Sequence, residues 1–276
     1  MKRLLSADLY QVLRGKSLYF LLAGAVLGGV LLPLFFYGTV EFLKFVVDNA
    51  SDLGIPEMDS LVNSLSILNT TMTGDNLFLM LLPMSEGYGL VITAILCHFH
   101  AKQFSNGIIR NKIVIGCPRG KIYLSMLICA LLLAVLPALV YALCCALTSS
   151  LCFGALTFSA GELVRIVTVS TMAYVAYAGI LALVAFATKN TVAAIITGAA
   201  LPLVMNLVFS VVGTFASGLP ESVQPVLAIF PSFQSLLVGA MAQSDAFFTV
   251  ALVADVMWLV LTTIPGILLF KKADVK

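Results

Sequence analysis

Two carboxylates stand where an apolar chain seldom carries them. Glu86 falls near the middle of the apolar run 77–97, and Asp255 near the middle of the run 246–270. A carboxylate at the centre of a membrane helix costs roughly 2.5–3.5 kcal/mol on insertion scales. Each must be protonated, paired or turned to a wet cavity. Pro83, Gly87 and Gly89 bracket Glu86 and weaken its helix, so freed backbone groups there need partners. Two kinds of chemistry are open to such groups. One is a polar patch on a translocation path. The other is a hydrogen bond between helices, for instance with Tyr88, Tyr174, Tyr177 or Asn206. For Glu86 the two weigh equally, and for Asp255 the hydrogen bond is favoured.

Other reactive-looking groups carry less. His98 and His100 point roughly 200° apart on a helix of 3.6 residues per turn, so they share no metal and read as interfacial anchors. The string Gly116-Cys-Pro-Arg-Gly-Lys121 imitates a phosphate-binding loop. It has three residues between its glycines instead of four, and Ile122 stands where Ser or Thr would hold magnesium. Nor does a strand precede it. The six cysteines show no C-x-x-C spacing and read as small apolar packing residues. With no Ser-His-Asp set and no H-E-x-x-H, the chain reads as a non-enzyme that binds no cofactor or metal of its own.

The elements around these residues follow from composition. Of the 276 residues, 61 % are hydrophobic and 10 % charged, with mean hydropathy +1.09. A soluble domain carries about a quarter charged residues. So few charges cannot cover a globule, which excludes a cytosolic enzyme, a secreted disulfide scaffold, a disordered chain and a nucleic-acid binder. A polytopic membrane protein remains. A bilayer core needs about 20 apolar residues per helix. Six runs qualify, at about 18–37, 77–97, 122–147, 163–187, 192–215 and 246–270. They are continuous and not alternating, so the expectation is an all-α, six-span bundle forming one domain over 1–276, not a β-barrel.

Orientation follows from Lys and Arg. Of the 15 basic residues, 13 gather on one side: Lys2, Arg3, Arg14, Lys16, Lys102, Arg110, Lys112, Arg119, Lys121, Lys189, Lys271, Lys272 and Lys276. Only Lys44 and Arg165 fall on the other, among the acids Glu41, Asp48, Asp52, Glu57, Asp59, Asp75, Glu162, Glu221 and Asp245. Both termini are therefore expected in the cytoplasm, on a multi-pass protein of the cytoplasmic membrane. The first apolar run is too long for a secretory signal and reads as a retained span.

Three segments outside the runs have character. Residues 1–16 carry Leu4, Leu5, Leu9, Val12 and Leu13 at helical spacing, as an amphipathic helix in the cytoplasmic interface would. Residues 41–76 form the longest polar stretch, a substrate vestibule or a solvated outer loop, of which the loop is favoured, with a short helix near 61–68. Residues 217–245 contain Pro220, Pro225 and Pro231 between apolar pieces too short to cross, as broken or re-entrant helices would. On the basic side, 98–121 reads HFHAKQFSNGIIRNKIVIGCPRGK. Ile108, Ile109, Lys112 and Ile113 there have helical spacing, and Ile109 and Ile113 share a face that needs a cover. Gly107 should mark the entry to this short helix, and Gly120 should close the turn after Pro118.

These features together resemble the permease subunits of ABC-2 type exporters over essentially the whole chain. The resemblance rests on the basic amphipathic start and the segment Phe104-Ser-Asn-Gly-Ile-Ile-Arg-Asn111. It rests also on Pro118-Arg119, Lys121-Ile-Tyr-Leu-Ser125, the Pro-containing segment before the last span and the basic tail. Ala101-Lys102-Gln103 stands where members often carry an acid, and Met126 where they often have Lys. The resemblance implies that Gly107, Ile108, Ile109, Arg110, Lys112, Ile113, Pro118 and Arg119 form a coupling loop seated on a separate ATP-binding cassette subunit, which binds the ATP. It implies a second permease chain, identical or different, in each working unit. Family precedent suggests a peptide antibiotic or amphipathic drug as cargo. The competing readings are an autonomous secondary transporter, with Glu86 and Asp255 as proton sites, and a non-transporting immunity or scaffold protein. No internal inverted repeat supports the former.

Overall fold

A computed structural model describes residues 2–51, 72–82, 88–188, 190–216, 224–231, 234, 237–238 and 244–272. It is all-helical among those residues. The helices are α1 (Lys2–Arg14), α2 (Lys16–Ser51), α3 (Gly74–Leu81), α4 (Tyr88–Ser105), α5 (Ile108–Val114), α6 (Arg119–Phe153), α7 (Ala160–Thr188), α8 (Thr191–Ala216), α9 (Gln224–Leu227) and α10 (Asp245–Lys272).

Four helices among the described residues are long and apolar enough to cross a bilayer: Lys16–Val47, Arg119–Phe153, Ala160–Thr188 and Asp245–Lys272. This is a membrane-embedded architecture. Within the run 77–97 the described residues form α3, of 8 residues, and the first part of α4, of 18, while 83–87 lie outside the described residues. Helix α8, of 26 residues, covers the run 192–215. The first span also differs in length. Its helix does not stop near residue 37 but runs to Ser51, where Glu41 and Lys44 pair at 2.6 Å across one turn. Hydropathy marks where lipid ends, not where a helix ends.

Helix ends are set by ordinary caps. Thr73 accepts from the Asn76 amide to open α3, and Ser159 and Glu162 exchange hydrogen bonds of 3.3 and 2.8 Å as a capping box for α7. Asn190 Oδ1 accepts from Val192 N at 2.9 Å to start α8.

Helix α6 is the hub, packed against α1, α2, α3, α4, α7 and α10. The neighbouring α7 is also well enclosed, while α2 and α10 expose Phe20, Leu27, Phe35, Val253, Val256 and Ile264 outward. Such a belt is what lipid or another membrane chain covers. Between apolar helices in lipid, close packing replaces the hydrophobic drive, and small residues permit it. A Cβ at Gly198 of α8 would lie 2.5 Å from Cys97 Sγ of α4, and one at Gly179 of α7 the same distance from Thr262 Oγ1 of α10.

The bundle has two distinct ends. At one, α1, the segment 106–119 and the close of α10 come together, joined by Lys112–Asp8 and by Arg119 donating to the Lys271 carbonyl at 2.7 Å. At the other, Asp75 accepts from the Thr157 amide at 2.9 Å, and Arg165 pairs with Asp245 at 2.8 Å. Both described termini thus lie at the basic end.

Candidate functional site

The segment between α4 and α6 is a short helix set between two tight turns. Gly107 enters it with φ +66°, a left-handed conformation that suits glycine. Helix α5 follows, as the isoleucine spacing predicts. The exit turn is made by Gly116, at φ +90°, whose amide donates to Ile113 O at 2.9 Å. Gly120, expected to close that turn, instead lies in the first turn of α6, with Pro118 as the residue that caps it. Proline at the cap starts α6 two residues sooner than a glycine-closed turn would.

The faces of α5 are partitioned sharply. Ile109 is fully buried, against Ile122, Tyr123, Met126, Phe186 and Phe270, with Ile113 and Phe104 packed around it. The apolar face that needed a cover is covered by the chain itself. Ile108 is half-buried. Arg110, Asn111, Val114 and Ile115 point out, the last two at 78 and 80 % exposure, and Pro118 is exposed beside them. These four span one face, opposite Ile109 and Lys112.

Lys112 does not reach into water. Its ammonium lies 2.6 Å from Asp8 Oδ1, and Ser125 Oγ donates to Asp8 Oδ2 at 2.7 Å. Asp8 is 5 % exposed. It sits between Leu4 and Val12 on the inward line of α1, four residues from each. Sequence reasoning missed it. The signal was there: an acid inside the apolar stripe of a helix needs a cation, and the basic loop shares its end of the bundle. Arg119 donates to the carbonyls of Phe270 and Lys271, so it holds the end of α10.

Of the two intramembrane carboxylates, Glu86 lies outside the described residues. Asp255 is buried and accepts from Gln234 Nε2 at 3.0 Å, and the same amide reaches the Ala228 carbonyl at 2.9 Å. Trp258 Nε1, one turn on, donates to the Ile229 carbonyl at 2.8 Å. Asp255 thus has Gln234 as its partner, not Tyr88, Tyr174, Tyr177 or Asn206, and its other oxygen is buried with no hydrogen-bond partner among the described residues. At the end of α3 the Tyr141 hydroxyl donates to the Leu81 carbonyl at 3.0 Å.

The two histidines part company. His98 is half-buried on a cleft between α2 and α4. His100 is fully buried beside the rings of Phe99 and Phe186. The described cysteines are all free thiols. Compared with protein-family models and with curated proteins, the chain matches none.

Proposed function

We infer that this chain is the membrane-spanning permease subunit of an ATP-driven exporter of the ABC-2 type. A separate ATP-binding cassette subunit supplies hydrolysis, and a second permease chain completes the unit. The observation that carries the reading is α5. It is a short helix held between α4 and α6, braced from inside, with Arg110, Val114 and Ile115 turned outward at the basic end. Exposed Val and Ile at the tip of a charged loop call for a partner surface, and burying each is worth roughly 1.5–3 kcal/mol. The docking face is thus Arg110–Asn111–Val114–Ile115, not Ile109 and Ile113.

The bracing suggests how a push would travel. Motion of the ATPase delivered to α5 passes to α1 through Lys112–Asp8, to α6 through Asp8–Ser125, and to α10 through Arg119. These helices would tilt as one body, opening the path toward the acidic end. In this reading α3 with α4 forms the second span and α8, about 39 Å long at 1.5 Å per residue, the fifth, for six in all. The positive-inside rule makes the α5 end cytoplasmic, with both termini there. The proline segment before α10 is a re-entrant element of the outer half, and the cargo is an amphipathic compound such as a peptide antibiotic.

The buried Asp255 favours, as second reading, an autonomous proton-coupled transporter. Affinity purification of the native chain with mass spectrometry of its companions tests the first. A stoichiometric ATP-binding cassette subunit is expected, and recovery of the chain with no ATPase overturns it.

A further inference from the structure

At the basic end, a cleft of about 240 Å³ opens between the α1–α2 junction and the last turns of α4. It is smaller than the roughly 300–1,000 Å³ of a drug-sized site. Its rim carries Lys16, Lys102 and His98, and no carboxylate is among its described lining residues. Both lysines are exposed at the mouth. Deeper in, the wall turns apolar, with Val12, Phe99 and Leu133. Gln103 also lines the cleft. It is 5 % exposed, and its side-chain oxygen has no hydrogen-bond partner among the described residues. A buried amide oxygen left so is destabilising unless a ligand or water donates to it.

The position matters as much as the lining. Gly15 separates an amphipathic helix from an apolar one, so the cleft sits where the chain passes from membrane surface to membrane core. Cations at the rim, a hydrogen-bond acceptor within and apolar walls at that depth match one ligand. We propose that this cleft binds the headgroup of an anionic glycerophospholipid that bears a hydroxyl, such as phosphatidylglycerol. The phosphate lies between Lys16 and Lys102. A headgroup hydroxyl donates to Gln103 Oε1, and the first acyl methylenes rest on Phe99 and Leu133. Basic pockets between membrane helices bind lipid headgroups by the same electrostatics. The proposal needs only the membrane setting and stands apart from the ATPase reading.

The test uses the full chain, delipidated in neutral detergent, with thermal unfolding followed against added phosphatidylglycerol, phosphatidylcholine or inorganic phosphate. Phosphatidylglycerol should raise the midpoint by several degrees at concentrations where the other two do nothing. Lys16→Gln with Lys102→Gln should weaken the response at least tenfold, while Lys271→Gln with Lys272→Gln, the same charge loss elsewhere, should leave it intact. Gln103→Leu should erase any preference for phosphatidylglycerol over phosphatidic acid. An equal response to phosphatidylcholine overturns the proposal. So does an equal response to inorganic phosphate, which would make the cleft a simple anion site. Should the double variant not fold, Lys16→Gln alone decides, because that side chain is exposed: an unchanged response rejects the site.

Discussion

Lys112 and Asp8 lie 104 residues apart in sequence and 2.6 Å apart in the fold, in an ion pair of which little reaches solvent. Removing one partner of such a pair leaves a buried charge and costs roughly 3–5 kcal/mol. Asp8→Ala is therefore expected to lower the unfolding midpoint and the yield of the detergent-purified chain, as is Lys112→Ala. Asp8→Ala with Lys112→Ala should recover much of the loss. Strictly additive losses across this cycle would show that the two do not act as a pair.

Charge placement at the two ends predicts accessibility. Arg110 and Asn49 are both exposed, at opposite ends. In a cysteine-free background, Asn49→Cys should react with an impermeant maleimide on intact cells. Arg110→Cys should react only after permeabilisation. Labelling of position 110 on intact cells would invert the orientation.

Much of this was legible in the residue order, and the misses share a cause. The apolar runs that became α2, α6, α7 and α10 were readable because each is long and unbroken. The spacing of Ile108, Ile109 and Ile113 announced α5. What spacing cannot say is which surface covers an apolar face. Ile109 looked like a docking residue and is enclosed by Phe186 and Phe270, residues from distant helices. Asp8 was overlooked because its partners lie more than a hundred positions away. Within the run 77–97, the Tyr141 hydroxyl that serves the Leu81 carbonyl is visible only in three dimensions.

Asp255 separates the permease reading from the proton-coupled one. Asp255→Asn keeps an oxygen to accept from Gln234 and cannot carry a proton in and out. In the scaffold role it should leave yield and transport near native levels, while Asp255→Leu lowers both by stripping the bond. Loss of transport in a well-folded Asp255→Asn protein would favour proton coupling.

The close approach at Gly198 predicts that Gly198→Ala forces α4 and α8 apart, since backbone as well as Cys97 lies within 3.2 Å of the new Cβ. Overpacking of this kind costs roughly 1–3 kcal/mol. A thermal midpoint equal to that of the native protein would mean that the helices do not meet there.

The central claim is that the outward face of α5 receives an ATPase. Val114→Asp with Ile115→Asp changes two side chains at 78 and 80 % exposure, so it should insert and accumulate like the native chain. Measured by the amount of ATP-binding subunit recovered with the tagged chain from solubilised membranes, this variant should retain less than a tenth of the native yield. Recovery of the ATPase at the native ratio would contradict docking through this face.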